Sequence, residues 1–181
     1  QGITYGARAH TALEFRDDAV IINSFSKYFS MTGWRLGWMV VPEDLARAVE
    51  CLAQNLFISA PTLSQIAAVA AFDCREELDA NVARYTINRE RLLNDLPALG
   101  LDRLAPSDGA FYIYADVAHL TNDSQEFCSR ILCETGVAIT PGLDFDPVRG
   151  ATTLRFSYAR STADIEEGLS RLQGFMASPL S

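Results

Sequence analysis

The segment from Ser24 to Gly37, with the sequence SFSKYFSMTGWRLG, collects side chains that together could bind a phosphate-bearing aldehyde. Ser24 and Ser26 lie two positions apart at the end of an apolar run, so their hydroxyls can share one side. Two hydroxyls and the guanidinium of Arg35 form a suitable donor set for a dianionic phosphate. Lys27 lies between them and offers an amine that can react with an aldehyde. The alternative is that Lys27 is a solvated loop lysine and the serines form a turn.

Lys27 is the only lysine in the sequence, whereas the other 14 of the 15 basic residues are arginines. A preference for arginine explains those fourteen, but it does not explain where the exception lies. Gly37 carries no side chain and therefore lets the strand that follows approach its neighbour closely. The position of the amine within this segment favours a chemical role for Lys27.

Arg155 is a second candidate site residue, and it lies in a predicted strand over residues 152–158. Apolar and polar residues alternate there, so that Leu154 and Phe156 face the opposite side from Arg155. An arginine in this setting is either a surface charge at a strand edge or a fork for a carboxylate. The strand by itself leaves both interpretations open.

The composition is that of an ordinary globular chain, with 181 residues, 49% hydrophobic, 21% charged and a net charge of −8. The absence of a basic run argues against nucleic acid as a partner. No apolar run approaches the roughly 18 residues of a membrane span, and residues 1–10 do not resemble a signal peptide. The cysteines at positions 51, 74, 128 and 133 lack metal or disulfide spacing. We therefore expect reduced thiols in a cytoplasmic protein, without a metal site or a membrane.

The pattern of apolar residues and helix signals predicts an α/β fold. Strands are predicted at 20–24, 36–41, 110–114, 137–140 and 152–158, with a short strand possible within 99–105. Helices are predicted near 45–56 and at 60–72, 76–96, 124–134 and 162–176. Ser124 is the expected N-cap of the fourth helix, and Ser161 with Asp164 resembles a capping box for the last.

The segment Ser24–Gly37 closely resembles the cofactor-lysine signature of the class I/II aminotransferases, of fold type I in the aspartate aminotransferase superfamily. Residues 108–112, 140–145 and 154–159 resemble segments of the same family's small domain. The resemblance implies pyridoxal 5'-phosphate as the cofactor, a Schiff base to Lys27, and Lys27 as the base in the proton shift. It also implies that Ser24, Ser26 and Arg35 hold the cofactor phosphate.

The same resemblance implies that Arg155 binds the substrate α-carboxylate. One departure from the family pattern follows the proline and glycine at 141–142. The family usually shows Phe-Gly there, whereas in this chain Phe145 is followed by Asp146. We expect this difference to alter the shape of the loop and the preference for the substrate side chain.

The resemblance covers essentially the whole chain, but only the latter half of such an enzyme. It implies the end of the large-domain sheet at 1–75, a long connecting helix at 76–96 and a small α/β domain at 97–181. The family's aspartate that keeps the nitrogen of the cofactor ring protonated has no counterpart here, so we interpret the chain as a fragment. We expect weak or no cofactor retention and no transamination from it alone. Full-length relatives in this family are usually homodimers, which we expect here too.

Three functions remain open from the sequence. The first is an aminotransferase acting on an α-amino acid and a 2-oxo acid. The second is another reaction of the same cofactor, such as β-elimination by a lyase, which would use the same lysine and arginines. The third is a non-catalytic ligand-sensing module that keeps the fold. The sequence does not identify the amino acid.

Overall fold

A computed structural model describes residues 2–6 and 8–177 of the chain. It divides into two compact units, Gln1–Val82 and Ala83–Ser181. The division falls within one long helix, Arg75–Ala98. None of the helices in the described part of the chain is both long and apolar enough to cross a membrane.

The first unit contains a two-stranded antiparallel ribbon and two complete helices. Strand β1 is Ile21–Ser24 and strand β2 is Gly37–Val40, in a register that pairs Ser24 with Gly37. Helices α1 and α2 span Glu43–Leu56 and Thr62–Ala71, and the start of α3, Arg75–Ala98, follows. Each of the first two helices begins directly after a proline, as the sequence predicts, because the ring fixes φ near the value that a helix start tolerates.

The apolar repeat of α1 correctly predicts a helix, but its leucines are not in the core of this unit. Leu45, Leu52 and Leu56 are 41%, 60% and 77% exposed. The buried cluster of the unit is formed instead by residues from the loop between the strands and from α2 and α3: Phe25, Phe29, Met31, Ala68 and Leu78. The loop that contains Lys27 therefore rests on the buried hydrophobic cluster of its unit.

The second unit is a four-stranded antiparallel sheet with helices. Its strands are β3, Arg103–Leu104; β4, Tyr112–Asp116; β5, Thr140–Pro141; and β6, Thr153–Ser157. They lie in the order β3-β4-β6-β5, so β6 is an inner strand. Helix α4 spans Ser124–Thr135 and helix α5 spans Thr162–Met176. The rings of Phe127 and Phe175, 5.9 Å apart, join these two helices.

Two local predictions for this unit are wrong. The N-cap of α4 is Asp123, whose side chain accepts hydrogen bonds from the amides of residues 125 and 126. Ser124 is instead fully buried and donates its hydroxyl to the Gly150 carbonyl at 2.7 Å. The strand predicted over 137–140 is reduced to Thr140–Pro141, because only these two residues pair with β6. At the last helix Ser161 is the N-cap, accepting from the Asp164 amide as predicted.

Candidate active site

The two serines of the motif lie on one side of the chain, as their spacing predicts. The Ser24 hydroxyl donates to the Ser26 hydroxyl at 2.9 Å and accepts from the Ser26 amide at 3.0 Å. Ser24 ends β1, and Lys27 follows in the bend with an exposed side chain. Two hydroxyl oxygens and a primary amine are thereby presented within four consecutive residues.

The bend is held from below by aromatic side chains on either side of Lys27. Phe25 and Phe29 are both buried, and their ring centroids are 4.8 Å apart. Trp38 of β2 lies 4.8 Å from Phe25, and Phe72 lies 5.3 Å from Phe29. Because Phe25 and Phe29, two residues before and two residues after Lys27, are buried in this cluster, the backbone beside Lys27 has a fixed orientation.

A longer contact fixes the next residue. The Tyr28 hydroxyl donates to the Asp79 carboxylate at 2.6 Å, across 51 positions of sequence. This hydrogen bond is the main reason why the pKa of Tyr28 is raised. Tyr28 lies within the motif, but the sequence did not indicate its partner, because Asp79 lies 51 positions away in α3.

Arg35 is exposed and lies in the left-handed region of backbone conformation, with φ of 50°. Its Nη1 donates to the Thr32 carbonyl at 2.9 Å, and the Thr32 hydroxyl donates to the Ser26 carbonyl at 2.6 Å. Thr32 therefore connects the arginine to the serine turn. Nothing in the sequence assigned a role to Thr32, since a threonine six positions after Ser26 has no local signature.

Gly37 allows the close approach of the two strands that the sequence predicts. A Cβ atom on this residue would lie 2.6 Å from the Asn23 carbonyl oxygen, far inside ordinary contact. By contrast, a Cβ on Gly33 would meet nothing within 4 Å.

The side-chain donors of Ser24, Ser26 and Arg35 lie at the end of β1 and in the loop that follows it, and their chemistry fits the phosphate of pyridoxal 5'-phosphate.

Arg155 lies in the second unit, on an inner strand of the sheet and not at a sheet edge. Its Nη2 donates to the Thr140 hydroxyl at 3.2 Å. Its Nε is buried and has no hydrogen-bond partner among the described residues. The guanidinium carbon lies 4.4 Å from the ring centroid of Phe145 and 5.5 Å from that of Tyr112.

The surroundings of Arg155 favour the carboxylate fork over a surface charge. A guanidinium on an inner strand is costly to bury unless its donors are satisfied. In the described part of the chain it forms no salt bridge. The donor chemistry of this arginine fits an anionic group with two oxygens.

The remaining polar residues that could do chemistry are dispersed. His10 and His119 are both exposed, and they contact Glu14 and the Gly100 carbonyl. Within residues 2–6 and 8–177 no group of three or more histidine, cysteine or acidic side chains could hold a metal ion. The four cysteines are free thiols, of which Cys128 is buried.

A mixed α/β chain with a lysine, two hydroxyls and an arginine on one loop is typical of a group-transfer enzyme with a phosphate-bearing cofactor. The model of the family "Aminotransferase class I and II" matches residues 1–172. The chain belongs to the class I and II aminotransferase family, as the resemblance of its motif predicts. Membership of this family implies pyridoxal 5'-phosphate as the cofactor.

Individual relatives agree with the family assignment. The chain is 52% identical over 181 residues to the valine–pyruvate aminotransferase of Mycobacterium tuberculosis, covering 98% of this chain and 47% of that protein. It is 36% identical to the (5-formylfuran-3-yl)methyl phosphate transaminase of Methanocaldococcus jannaschii, again over 97% of this chain and 47% of that protein.

Solved structures give the same result for the fold. The crystal structure of a Silicibacter pomeroyi protein superimposes with a TM-score of 0.94 at 65% identity, covering 97% of this chain and 47% of that one. A Thermus thermophilus aspartate aminotransferase gives 0.82 at 30% identity, covering 94% and 47%. The predicted fold class is confirmed: the chain has a mixed α/β fold of the pyridoxal-phosphate-dependent aminotransferases and spans about half the length of the relatives it matches.

Proposed function

We propose that the protein containing this sequence is a pyridoxal-phosphate-dependent aminotransferase that transfers an amino group between an α-amino acid and a 2-oxo acid. The observation that carries this proposal is the donor set around Lys27. The hydroxyls of Ser24 and Ser26 are 2.9 Å apart, and Thr32 links Arg35 to the same turn. Family membership over residues 1–172 supplies independent support.

The residues of the loop have separate proposed roles. Lys27 would hold the cofactor through the cofactor's aldehyde carbon, and its amine would serve as the base that moves the substrate α-proton in the 1,3-proton shift. Ser24, Ser26 and Arg35 hold the cofactor phosphate through charge-assisted hydrogen bonds. Pyridoxal phosphate, when bound, supplies the electron-withdrawing ring that makes this proton removable. The aromatic cluster beneath the bend fixes the direction from which Lys27 approaches.

Arg155 is proposed to bind the α-carboxylate of the amino acid. Its buried Nε without a partner and its single side-chain hydrogen bond to Thr140 leave donors for a two-oxygen anion. A carboxylate is common to all α-amino acids and 2-oxo acids, so this arginine serves both halves of the reaction. The relative from Mycobacterium tuberculosis is named for valine and pyruvate, and these are the first substrates to test.

The complete enzyme is proposed to be a cytoplasmic homodimer, with residues 1–75, 76–96 and 97–181 as the end of its large domain, a connecting helix and its small domain. The 181-residue chain on its own is proposed to retain the cofactor weakly and not to transaminate. The family's ring-nitrogen aspartate and glycine-rich cofactor loop have no counterpart in this sequence, which spans about half of each relative. The ring would therefore be a weaker electron sink.

The experiment that tests the proposal maps the cofactor attachment. The full-length enzyme is incubated with pyridoxal phosphate, reduced with borohydride and digested, and the modified peptide is identified by mass spectrometry. We expect the adduct on Lys27. Lys27→Ala should lose both the visible absorbance of the bound cofactor and the turnover of valine with pyruvate, and Lys27→Arg, which keeps the charge, should lose them too. An adduct on a different lysine in the wild-type enzyme would overturn the assignment.

Product analysis separates the aminotransferase from the two alternatives. A transaminase requires an added 2-oxo acid and converts it to an amino acid. A lyase would release ammonia and a 2-oxo acid without one. A ligand-sensing module would bind the cofactor without turnover. The relatives named above are both transaminases, which favours the first outcome.

A further inference from the structure

We propose that Phe145, held in place by Asp146, is a positioning residue that orients the Arg155 guanidinium for the substrate carboxylate. This inference rests on the proposed function of Arg155. It concerns the loop between β5 and β6, where the sequence departs from the family pattern, and all the residues it uses lie in the second unit.

The guanidinium of Arg155 is stacked on an aromatic ring. Arg155 Cζ lies 4.4 Å from the Phe145 ring centroid, well within the range of a cation–π interaction, and 5.5 Å from that of Tyr112. The guanidinium makes one side-chain hydrogen bond, to Thr140. A planar guanidinium held by a ring keeps its N–H groups directed outward from its edge, which is the geometry that a carboxylate needs. Phe145 therefore determines which way the fork points.

Backbone hydrogen bonds fix the loop on both sides of Phe145. Its ring is 53% exposed, so burial alone does not fix it. The amides of Phe145 and Asp146 both donate to the Gly142 carbonyl, at 2.9 and 3.0 Å. The Gly150 amide donates to the Asp146 carbonyl at 2.8 Å. The backbone on both sides of the ring is thus tied into one closed loop.

The side chain of Asp146 closes the same loop through three hydrogen bonds. Its Oδ1 accepts from the amides of Val148 and Arg149 at 2.9 and 3.0 Å, and its Oδ2 accepts from Arg149 Nε at 2.9 Å. These hydrogen bonds, the amide ones first, lower the pKa of Asp146, so the carboxylate stays charged at neutral pH. A glycine at this position, as in the usual family pattern, would supply none of the three bonds.

The loop is packed closely against the chain that leads into β6. A Cβ on Gly150 would lie 2.5 Å from the Leu143 amide nitrogen, and a Cβ on Gly142 would overlap the Thr153 hydroxyl. The two ends of the loop therefore pack closely against each other, and Thr153, which lies against Gly142, is two residues before Arg155. A change in the loop is transmitted to the ring over Arg155, because there is no free space to absorb it.

The test uses steady-state kinetics of the full-length holoenzyme with valine and pyruvate. Phe145→Leu keeps an apolar side chain but removes the ring, and we expect the KM for valine to rise about fivefold with kcat within a factor of two. Phe145→Tyr restores a ring and should restore the KM. A purely structural residue would lower kcat or the amount of folded enzyme and would not produce this split.

The aspartate is tested with a matched set of variants. Asp146→Ala removes the acceptor for both amides and should raise the KM about threefold. It should also speed hydrogen exchange at the amides of Val148 and Arg149 in the apoenzyme, a readout independent of turnover. Asp146→Asn keeps the Oδ1 acceptor and should rescue both measurements. Arg149→Ala removes only the exposed ion pair and is the control.

Arg155→Lys distinguishes failure of this inference from failure of the proposed function. If Arg155→Lys raises the KM for valine but Phe145→Leu leaves it unchanged, the positioning role is overturned and the carboxylate role stands. If Arg155→Lys leaves the KM unchanged, the carboxylate role is overturned, and the positioning role with it. A rise in KM for Phe145→Leu that Phe145→Tyr does not reverse also overturns the inference.

Discussion

Replacing Gly37 with alanine tests whether the close approach of β1 and β2 positions Ser24 for its proposed role in binding the cofactor phosphate. A Cβ on Gly37 would lie 2.6 Å from the Asn23 carbonyl oxygen, whereas ordinary van der Waals contact begins at 3.4 Å. The strands must therefore separate by about 0.8 Å at this pair. Overpacking of this kind costs about 1–3 kcal/mol of folding free energy.

The displacement also has a functional consequence, because Gly37 is paired directly with Ser24. A shift of this size would remove good geometry from the hydrogen bond proposed between Ser24 and the cofactor phosphate. Hydrogen bonds to charged groups contribute about 1.5–3 kcal/mol, so the dissociation constant for pyridoxal phosphate should rise by roughly ten- to a hundredfold. The measurement is equilibrium titration of the full-length apoenzyme with pyridoxal phosphate, beside its urea unfolding midpoint.

Gly33→Ala is the matched control in the same motif. A Cβ there meets nothing within 4 Å, and the residue does not have a positive φ. Alanine should therefore leave cofactor affinity unchanged and stability equal or slightly higher, since it reduces the conformational entropy of the unfolded chain. If Gly37→Ala matches wild type in both affinity and unfolding midpoint, close strand approach does not position Ser24 and the reasoning is refuted.

Two further predictions concern stability. Burial, and to a smaller extent the charge of Asp144, raises the pKa of Cys128 from 9.0 to about 11. The thiol of the unfolded chain loses its proton at a lower pH than the buried thiol, so the free energy of unfolding should fall by about 2 kcal/mol between pH 8 and 10.5. Cys128→Ala should remove this fall. The control Cys74→Ala, at an exposed site, should leave it unchanged. Asn88 is fully buried, and its side-chain amide donates to two carbonyls at 3.0 and 2.9 Å. Asn88→Ala should therefore lower the free energy of unfolding, measured in urea, by about 3 kcal/mol. A decrease of less than about 1 kcal/mol would contradict this prediction.

Local features of this protein follow from short stretches of its amino-acid sequence. Residues within a few positions of one another predict the order of helices and strands and the limits of the last helix at 162–176. They also predict that Ser24 and Ser26 lie on one side of the chain. Pro42 and Pro61 marked helix starts for the same reason, since a proline restricts its own φ wherever it lies. The family motif is also a local pattern, which is why it could be recognised without a fold.

Features that depend on contacts between distant segments could not be predicted from local sequence. Asp123 rather than Ser124 caps α4, because the Ser124 hydroxyl bonds to a carbonyl 26 positions away. The strand predicted over 137–140 is short because only two residues find partners on β6. The Phe145 ring centroid lies 4.4 Å from Arg155 Cζ although the two residues belong to separate segments, and the Asp146 side chain accepts hydrogen bonds within the loop that carries the ring. Local periodicity cannot specify these contacts, since they depend on where the chain returns and on how closely its segments pack.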